Sequence, residues 1–371
     1  MNLIVINLDK GIFKFGSASL ERLKEYSRMV DKIFVIVWTN QKEQPIAFQN
    51  KLFIYPTSSC CRLFYYLDSF RLAKKILADT KIDLIFTQDP FETGLAGYLM
   101  SKKHKIPLQL QIHTDFLSPY FWQESFSNRI RVLLAKKLIK KADGFRVVSG
   151  RIKKSLIKLG IPEQKISVLP IFVDTEKFRM APIKINLKQK YPQFDFIILM
   201  ASRLSREKNI GLAIEAMREI IKKFPKTGLI IVGEGKERNY LQLKTKNYKL
   251  QTNVVFEPWT DDLASYYKSA DLFLLTSNYE VFGLTVIEAA ASACPVVMTD
   301  VGCAGEIIKN AESGMVFPVG DKDGLKTILE KLISDKKLRE NLGRVAQQSI
   351  SGLPSKDENF KLYKESWEKI I

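Results

Sequence analysis

Long apolar runs are missing from this chain of 371 residues. No stretch approaches the ~18 consecutive apolar residues that a membrane-spanning helix needs. The apolar start Met1–Leu8 stops at Asp9, has no basic beginning and is too short for a signal peptide. We therefore expect a cytoplasmic protein that is neither secreted nor membrane-spanning.

Cysteine and histidine are also scarce. The cysteines are Cys60, Cys61, Cys294 and Cys303, and their spacing matches neither a CxxC pair nor a zinc site. We expect them to be buried, reduced thiols. His104 lies in a Lys-Lys-His-Lys run and is predicted to be exposed, which leaves His113 as the only histidine that is a candidate for a site.

Acidic residues are outnumbered, since 40 Asp and Glu against 58 Lys and Arg give a formal net charge of +18. Such a charge favours an anionic partner, namely nucleic acid, a phosphorylated substrate or the anionic face of a membrane. Basic motifs interleaved with aromatic residues, which are typical of nucleic-acid-binding proteins, are absent. Because many lysines lie on the outer faces of predicted helices, general solubility explains the charge equally well.

Short β-rich runs alternate with amphipathic segments along the whole chain, which predicts parallel sheets covered by helices, the α/β class. In the first half the predicted strands are Leu3–Leu8, Ile33–Thr39, Leu52–Thr57, Leu84–Gln88, Leu108–His113, Phe145–Ser149 and Ile166–Pro170. In the second half they are Phe196–Ala201, Leu229–Val232, Val254–Phe256, Leu272–Thr276, Pro295–Thr299 and Met315–Phe317.

The length of the chain favours two domains, and a polar, proline-bearing stretch between Pro170 and Pro192 predicts a hinge. We place the domains at residues 1–175 and 176–354. The tail 355–371 has Phe360, Tyr363, Trp367 and Ile370 at helical spacing, so we expect it to pack back on the first domain. Doubly wound sheets bind ligands at the carboxyl ends of their strands, so the predicted site lies in a cleft between the domains.

The segment from Ala201 to Asn209 leaves a strand and enters a helix, and it carries Arg203 and Lys208. A planar guanidinium and a compact ammonium at a helix N-terminus suit a diphosphate. Taken alone, such a loop is more often solvated surface. The glycines of Val232–Gly235 follow another strand and permit a tight turn with close approach of a ligand, which is a weak signal by itself.

Glu280 and Glu288 bracket the glycine of a third strand-to-helix loop, Glu-Val-Phe-Gly-Leu-Thr-Val-Ile-Glu. Unpaired N–H groups of Gly283 and Leu284 at the helix start suit a phosphate, and each carboxylate can accept two sugar hydroxyls. The structural alternative is an acid near a helix N-terminus together with an exposed helix glutamate. Three such loops in one half, all with chemistry for a diphosphate or a diol, favour the functional interpretation.

Arg203, Lys208 and the Glu280–Glu288 segment resemble the donor signature of the retaining GT-B glycosyltransferases of family 4, also called glycosyl transferases group 1. Further segments resemble landmarks of that family, namely Ala142–Gly144, Val147–Ser149, Pro170–Asp174 and Asp271. The resemblance covers nearly the whole chain and implies the GT-B fold, with two Rossmann-like domains facing a cleft. Two positions depart from the pattern: Ser202 stands where glycine is usual, and Pro-Ile-Phe-Val-Asp replaces the commoner Pro-Asn-Gly-Val-Asp.

The resemblance implies a role for each residue of the second domain. Arg203 and Lys208 would hold the diphosphate of a nucleotide-sugar donor. Glu280 would contact the transferred sugar, and Glu288 would bind the ribose hydroxyls. The nucleotide base would lie near Trp259.

Two residues of the first domain are implicated as well. His113, after the strand Leu108–His113, is on the residues alone also consistent with a satisfied core histidine. The resemblance favours a contact between His113 and the donor sugar. It also implies that the loop at Gly16 lies over the diphosphate and the acceptor. The acids of Asp89–Gly94 are explained equally well by helix capping.

The reaction implied by the resemblance moves a sugar from a UDP- or GDP-linked donor to a lipid-linked or glycan acceptor, as in cell-envelope polysaccharide biosynthesis. Arg203, Lys208, Glu280 and His113 would be the catalytic residues. Retention by a front-face mechanism is expected because no carboxylate nucleophile is indicated. We expect no metal cofactor, because the Asp-Lys-Asp motif at Asp321 occupies a predicted helix cap.

Three alternatives stay open at this point. An epimerase or a phosphorylase on the same fold would share the nucleotide site, and a non-catalytic nucleic-acid-binding protein would use the positive charge. The basic amphipathic segment Asn128–Lys141 either lies on anionic lipid or packs on the core with a lysine-rich outer face. Lipid-linked acceptors, which the resemblance implies, favour peripheral contact with the inner face of a membrane.

Overall fold

Parallel strands made of branched and aromatic residues form two separate sheets in the computed structural model, which describes residues 1–371. The chain divides into one unit of Met1–Pro170 with Pro354–Ile371 and a second unit of Ile171–Leu353. Each unit is an α/β layer structure of the Rossmann type, so the predicted fold class is confirmed. No helix has the length and apolar character needed to cross a membrane.

The first unit contains a sheet of eight strands in the order β3-β4-β2-β1-β5-β6-β7-β8. The strands are β1 Asn2–Asn7, β2 Lys32–Val37, β3 Ile46–Phe48, β4 Leu52–Pro56, β5 Leu84–Thr87, β6 Leu108–Ile112, β7 Gly144–Val147 and β8 Ile166–Val168. The helices are α1 Ala18–Arg28, α2 Tyr65–Asp79, α3 Glu92–His104, α4 Pro119–Glu124, α5 Phe126–Leu138 and α6 Gly150–Lys158. Each predicted strand is confirmed, and β3 was missed because a three-residue antiparallel edge strand has little apolar pattern.

The second unit contains a parallel sheet of six strands in the order β11-β10-β9-β12-β13-β14. The strands, all predicted, are β9 Phe196–Ala201, β10 Thr227–Val232, β11 Val254–Glu257, β12 Leu272–Leu275, β13 Val296–Thr299 and β14 Met315–Phe317. The helices are α7 Thr175–Met180, α8 Leu187–Lys190, α9 Ile210–Lys223, α10 Arg238–Asn247, α11 Leu263–Ser269, α12 Leu284–Ala291, α13 Lys322–Ser334 and α14 Lys336–Ser349.

The last helix, α15 (Lys356–Glu368), belongs to the first unit although it follows the second in sequence. A capping box of Ser355 and Glu358 begins it. Trp367 is fully buried and stacks on Phe86 at 5.6 Å between ring centroids. The helix therefore completes the core on one face of the first sheet.

The four cysteines are free, but only part of the expectation about them is correct. Cys294 and Cys303 are buried, as predicted. Cys60 and Cys61 are exposed, so the prediction of burial was wrong for this pair. They lie in the connection between β4 and α2, and connecting segments run over protein surfaces.

Candidate functional site

The strand order of the second sheet identifies where a ligand would bind. From β9 the chain moves to β10 and β11 on one side and then returns to β12 on the other side of β9. The neighbours β9 and β12 therefore flank a point where the winding direction reverses. Open α/β sheets bind ligands outside the carboxyl ends of the strands at such a point.

The loops that follow β9 and β12 are joined by hydrogen bonds. The hydroxyl of Thr276 donates to the carbonyl oxygens of Lys208 and Asn209, both at 3.0 Å. The N–H of Asn278 donates to the carbonyl of Glu207 at 2.7 Å. These contacts hold the end of the first loop beside the start of the second.

Lys208 and Glu280 form the ion pair that this arrangement brings together. Only 15% of the Lys208 side chain and 14% of the Glu280 side chain are exposed, so the pair is largely shielded from water. Ser277 donates to the same carboxylate oxygen of Glu280 at 2.9 Å. The cation and carboxylate predicted from separate motifs are thus direct neighbours.

Arg203 lies in the same loop but remains on the surface. Its side chain is 79% exposed, and its guanidinium pairs with Glu207 at 3.3 Å. Ser205 donates to that same carboxylate oxygen at 2.6 Å. A surface ion pair of this kind contributes little energy, so Arg203 is free to exchange Glu207 for an anionic ligand.

The glycines of Val232–Gly235 allow two backbone segments to approach each other closely. Gly233 has a φ of +141°, and an added Cβ would lie 2.0 Å from the carbonyl oxygen of Ser202. A Cβ on Gly235 would lie 2.2 Å from the carbonyl oxygen of Leu204. The two glycines therefore let this turn lie against the backbone of the Arg203 loop, which it supports.

Helix α12 begins at the second of these loops. Gly283 is its N-cap with a φ of +95°, a left-handed conformation that glycine adopts without strain. The first-turn N–H groups of a helix have no acceptor within it, so those at Gly283 and Leu284 suit an anion. Leu284 is 39% exposed, whereas Gly283 itself is buried.

Gly302 is a supporting residue that the sequence analysis missed. It has a φ of +57°, and a Cβ there would lie 2.6 Å from the carbonyl oxygen of Phe282 and 3.0 Å from Cβ of Glu280. The neighbouring N–H of Cys303 donates to that carbonyl at 2.9 Å. A glycine just after β13 was the available signal.

Glu288 lies farther along α12 and is half-buried. Burial raises the pKa of Glu288 above its ordinary value, while the hydroxyl of Tyr267 and the charge of Lys177 act in the opposite direction. Tyr267 donates to Oε2 of Glu288 at 3.0 Å. Sequence reasoning missed Tyr267, whose position in α11 has no motif of its own.

Trp259 is 55% exposed in the segment that follows β11. The end of that strand is anchored, because the buried Glu257 accepts from Tyr266 at 2.9 Å and pairs with Lys190 at 2.5 Å. The carbonyl of Glu257 also accepts from the N–H of Gly233 at 3.1 Å. Trp259 is therefore a surface side chain next to a rigid strand end.

His113 and Gly16 are the predicted site residues of the first unit. His113 follows β6, is half-buried, and its Nε2 lies 3.2 Å from both Arg146 and Gln111. Burial, and then the charges of Arg146 and Arg22, lower the pKa of His113 well below its ordinary value. Gly16 is exposed with a φ of +74° and open space around it.

Two acidic motifs have structural roles. Asp89 accepts from the N–H of Phe91 and from the hydroxyl of Thr93, both at 2.7 Å, at the start of α3. Asp321 is the N-cap of α13 and accepts from the N–H of Gly324 at 2.9 Å. No group of three or more His, Cys, Asp or Glu side chains is arranged to hold a metal ion.

Two family models match the chain, one for each half. Residues 24–177 match the model described as Glycosyltransferase Family 4. Residues 184–349 match the model described as Glycosyl transferases group 1. The second match contains every site residue discussed above in the second unit.

Similar proteins bear related names. The alpha-monoglucosyldiacylglycerol synthase of Streptococcus pneumoniae is 29% identical over 284 residues, which are 73% of this chain and 64% of that protein. An Escherichia coli enzyme named UDP-Gal:alpha-D-GlcNAc-diphosphoundecaprenol alpha-1,3-galactosyltransferase is 26% identical over 71% of this chain and 70% of its own. Against the first of these, the match spans less than two thirds of the relative's length.

A solved structure extends the likeness to the fold of the whole chain. The Anabaena protein HepE in complex with UDP superposes with a TM-score of 0.76 at 21% identity, covering 98% of this chain and 99% of that one. At this level of identity the similarity establishes the GT-B fold.

Proposed function

Because this chain belongs to the GT-B glycosyltransferases of family 4, the glycosyl transferases group 1, we propose that it transfers a sugar from a nucleoside diphosphate to a lipid-linked or glycan acceptor with retained anomeric configuration. The shielded Lys208–Glu280 pair at the winding reversal of the second sheet is the observation that carries the proposal. The pair offers a cation for the leaving group and a carboxylate for sugar hydroxyls at one place.

The largest demand in this reaction is stabilisation of the departing diphosphate. Lys208 supplies a partly shielded cation, and Arg203 supplies an exposed guanidinium that can close on the ligand. The N–H groups at Gly283 and Leu284 add dipoles at the start of α12. We propose that these groups do the work a metal ion does in other transferases, so that transfer needs no metal.

Retention follows from attack on the face of the sugar that the diphosphate leaves. The bond from the anomeric carbon to the phosphate oxygen breaks, the acceptor hydroxyl bonds to that carbon, and its proton passes to the departing phosphate. Glu280 is already engaged by Lys208 and Ser277, which favours binding of hydroxyls over nucleophilic attack. Glu288, with Tyr267 beside it, would hold the ribose.

The two halves would divide the substrates. We propose residues 176–354 as the donor domain and 1–175, completed by 355–371, as the acceptor domain. His113 and the Gly16 loop would be the contribution of the acceptor domain to donor and acceptor binding. UDP is the first choice of nucleotide because the Anabaena protein HepE was crystallised with it, and GDP is the second.

Helix α5 supports a lipid-linked acceptor and peripheral contact with the inner face of a membrane. Its buried face contains Val132, Ala135 and Leu138. A second apolar stripe, Phe126, Ile130 and Leu133, is 53–74% exposed. Basic residues flank the exposed stripe, namely Arg129, Lys136 and Lys137. Packing on the core explains the first face but not the second, whereas an anionic lipid surface suits both the stripe and its charges.

Nucleotide release from UDP- and GDP-sugars, measured with and without acceptors, tests the proposed function. A transferase releases the diphosphate when an acceptor is present. An epimerase converts the sugar nucleotide without any acceptor, and a phosphorylase requires phosphate. A nucleic-acid-binding protein shows no turnover and a steep salt dependence of binding.

Lys208→Ala and Glu280→Ala should each lower kcat/KM by about 100-fold or more, the usual effect of removing one preorganised charge-stabilising group. Lys222→Ala serves as the control, because Lys222 is an exposed lysine in α9 that pairs only with Glu219. Near-normal turnover in either site variant, with the fold intact by circular dichroism, would contradict the assignment.

A further inference from the structure

A row of polar side chains crosses the interior of the first sheet. Gln109, Gln111 and His113 alternate along and just beyond β6, so they share one face. Arg146 on β7 is the register partner of Gln111 and lies on the same face. Helix α15 covers the row, since Gln109 donates to the carbonyl of Ser366 at 2.9 Å.

Arg146 is a buried cation that no carboxylate neutralises. The residue is 1% exposed. One terminal nitrogen of its guanidinium lies 3.2 Å from Nε2 of His113, and the other donates to the carbonyl of Leu169 at 3.2 Å. The guanidinium also lies 4.4 Å from the ring centroid of Tyr363, so α15 supports it by a cation–π contact.

The chemistry of these contacts determines where the proton of His113 lies. A guanidinium has donors and no acceptor, so Nε2 of His113 must accept from Arg146. The amide nitrogen of Gln111 is buried without a partner, while its oxygen lies 3.2 Å from the same Nε2. If Nε2 accepts from Arg146, the Gln111 oxygen would face another acceptor. Turning this amide over points its N–H at Nε2 instead, where it shares the single lone pair with Arg146, since oxygen and nitrogen positions of an amide are assigned from the hydrogen-bond network.

We propose that Arg146 is a positioning residue that holds His113 as the neutral Nδ1–H tautomer and leaves that N–H as the single donor for a hydroxyl of the transferred sugar. The inference rests on the proposed function for the identity of the ligand, whereas the tautomer does not depend on it. A neutral imidazole also avoids placing a positive charge beside a sugar that becomes cationic in the transition state.

The electrostatic surroundings agree with the contacts. Burial is the main cause that lowers the pKa of His113, followed by the charges of Arg146 from β7 and Arg22 from α1. Arg22 is exposed and acts at a distance, so it affects the charge of the imidazole without choosing between the two nitrogens. Only Arg146 both disfavours the charged imidazole and determines which ring nitrogen carries the proton.

Nitrogen NMR of the full chain with ¹⁵N-labelled histidine tests the tautomer directly. The chain has only two histidines, and His104→Gln assigns their signals. We expect His113 to show a protonated Nδ1 and an unprotonated Nε2, and to stay neutral at about pH 6, where an ordinary histidine with a pKa of about 6.5 is mostly charged. A protonated Nε2, or a charged imidazole at neutral pH, would overturn the proposal.

Variants separate positioning from general electrostatics. Arg146→Met should raise the pKa of His113 and give a mixture of tautomers, and Arg146→Lys should keep the charge but lose the forked contact. Arg22→Gln should raise the pKa without changing the tautomer. If Arg146→Met does not fold, the spectra of Arg146→Lys and of the wild type still test which tautomer His113 adopts.

Kinetics then connect the tautomer to transfer. Arg146→Lys should lower kcat/KM for the sugar donor about tenfold, the effect of one misplaced hydrogen bond, while the affinity for the free nucleoside diphosphate stays unchanged. Unchanged kcat/KM in a variant with an altered tautomer would refute the link to the sugar. A wild-type chain with the expected tautomer but no transferase activity would refute only the proposed function.

Discussion

Gly302 and Gly320 have similar backbone conformations but different surroundings. Their φ angles are +57° and +80°, both in the left-handed region. A Cβ on Gly302 would meet the carbonyl of Phe282 and the side chain of Glu280, whereas one on Gly320 would meet nothing within 4 Å. Alanine substitutions at these two glycines therefore separate the energetic cost of the left-handed backbone from the effect of displacing the loop that contains Glu280.

Gly320→Ala should lose about 1–2 kcal/mol of stability, the penalty for a left-handed alanine. Gly302→Ala should lose more, because its Cβ would also collide with the carbonyl oxygen of Phe282. Only Gly302→Ala should also lower kcat/KM, because it displaces the loop that holds Glu280. Urea denaturation and steady-state kinetics on both variants measure the two effects. Equal activity in the two variants would show that the Glu280 loop tolerates the shift.

Helix α5 has an apolar face on each side, and only one is covered by the protein. Its motif predicted a basic amphipathic helix but left open whether the apolar residues face the core or a membrane. The structure shows two groups of apolar residues on α5: Val132 and Ala135 are buried, and Phe126 and Leu133 are exposed. The exposed set is what a lipid surface would bury.

Replacing Phe126, Ile130 and Leu133 together by serine should weaken binding to vesicles that contain anionic phosphatidylglycerol by at least about tenfold, since burying large apolar side chains contributes ~1.5–3 kcal/mol each. Vesicle sedimentation measures the binding. Leu243→Ser is the matched control, because Leu243 is 57% exposed on α10 of the second unit. Wild-type binding by the triple variant would rule out α5 as the contact.

Each of the two units has hydrophobic core residues of its own. Phe196, Ile198 and Leu229 belong to the core of the second unit, and Leu3, Val5 and Trp367 belong to that of the first. A ligand held by residues of one unit should stabilise that unit by mass action. Thermal unfolding can therefore report donor binding without any knowledge of the acceptor.

UDP at about 100 times its Kd should contribute ~2.7 kcal/mol, which raises the melting temperature of a unit of this size by roughly 5 °C or more. Scanning calorimetry with UDP and with GDP measures the shift. Lys208→Ala should abolish the shift and Lys222→Ala should retain it. No shift with either nucleotide would contradict the proposed donor class.

The strands and the α/β class were predictable because strands buried on both faces are continuous apolar runs, as in Phe196–Ala201. The chemistry of Lys208 and Glu280 was also readable, since each lies in a loop directly after a strand. The ion pair between Lys208 and Glu280 could not be predicted, because it depends on β9 and β12 being neighbours in the sheet. Periodicity reports local burial, and strand order is a property of the folded chain.

The sequence by itself determined the fold class, thirteen of the fourteen strands and the candidate residues, because each leaves a local pattern. The tertiary structure decided what supports them: Gly302 under the Glu280 loop, Tyr267 on Glu288, and Arg146 on His113. It also places Cys60 and Cys61 on the surface, whereas the sequence analysis predicted that they are buried. These partners lie far apart in the chain, and a pairing between distant residues is established only when the strands assemble.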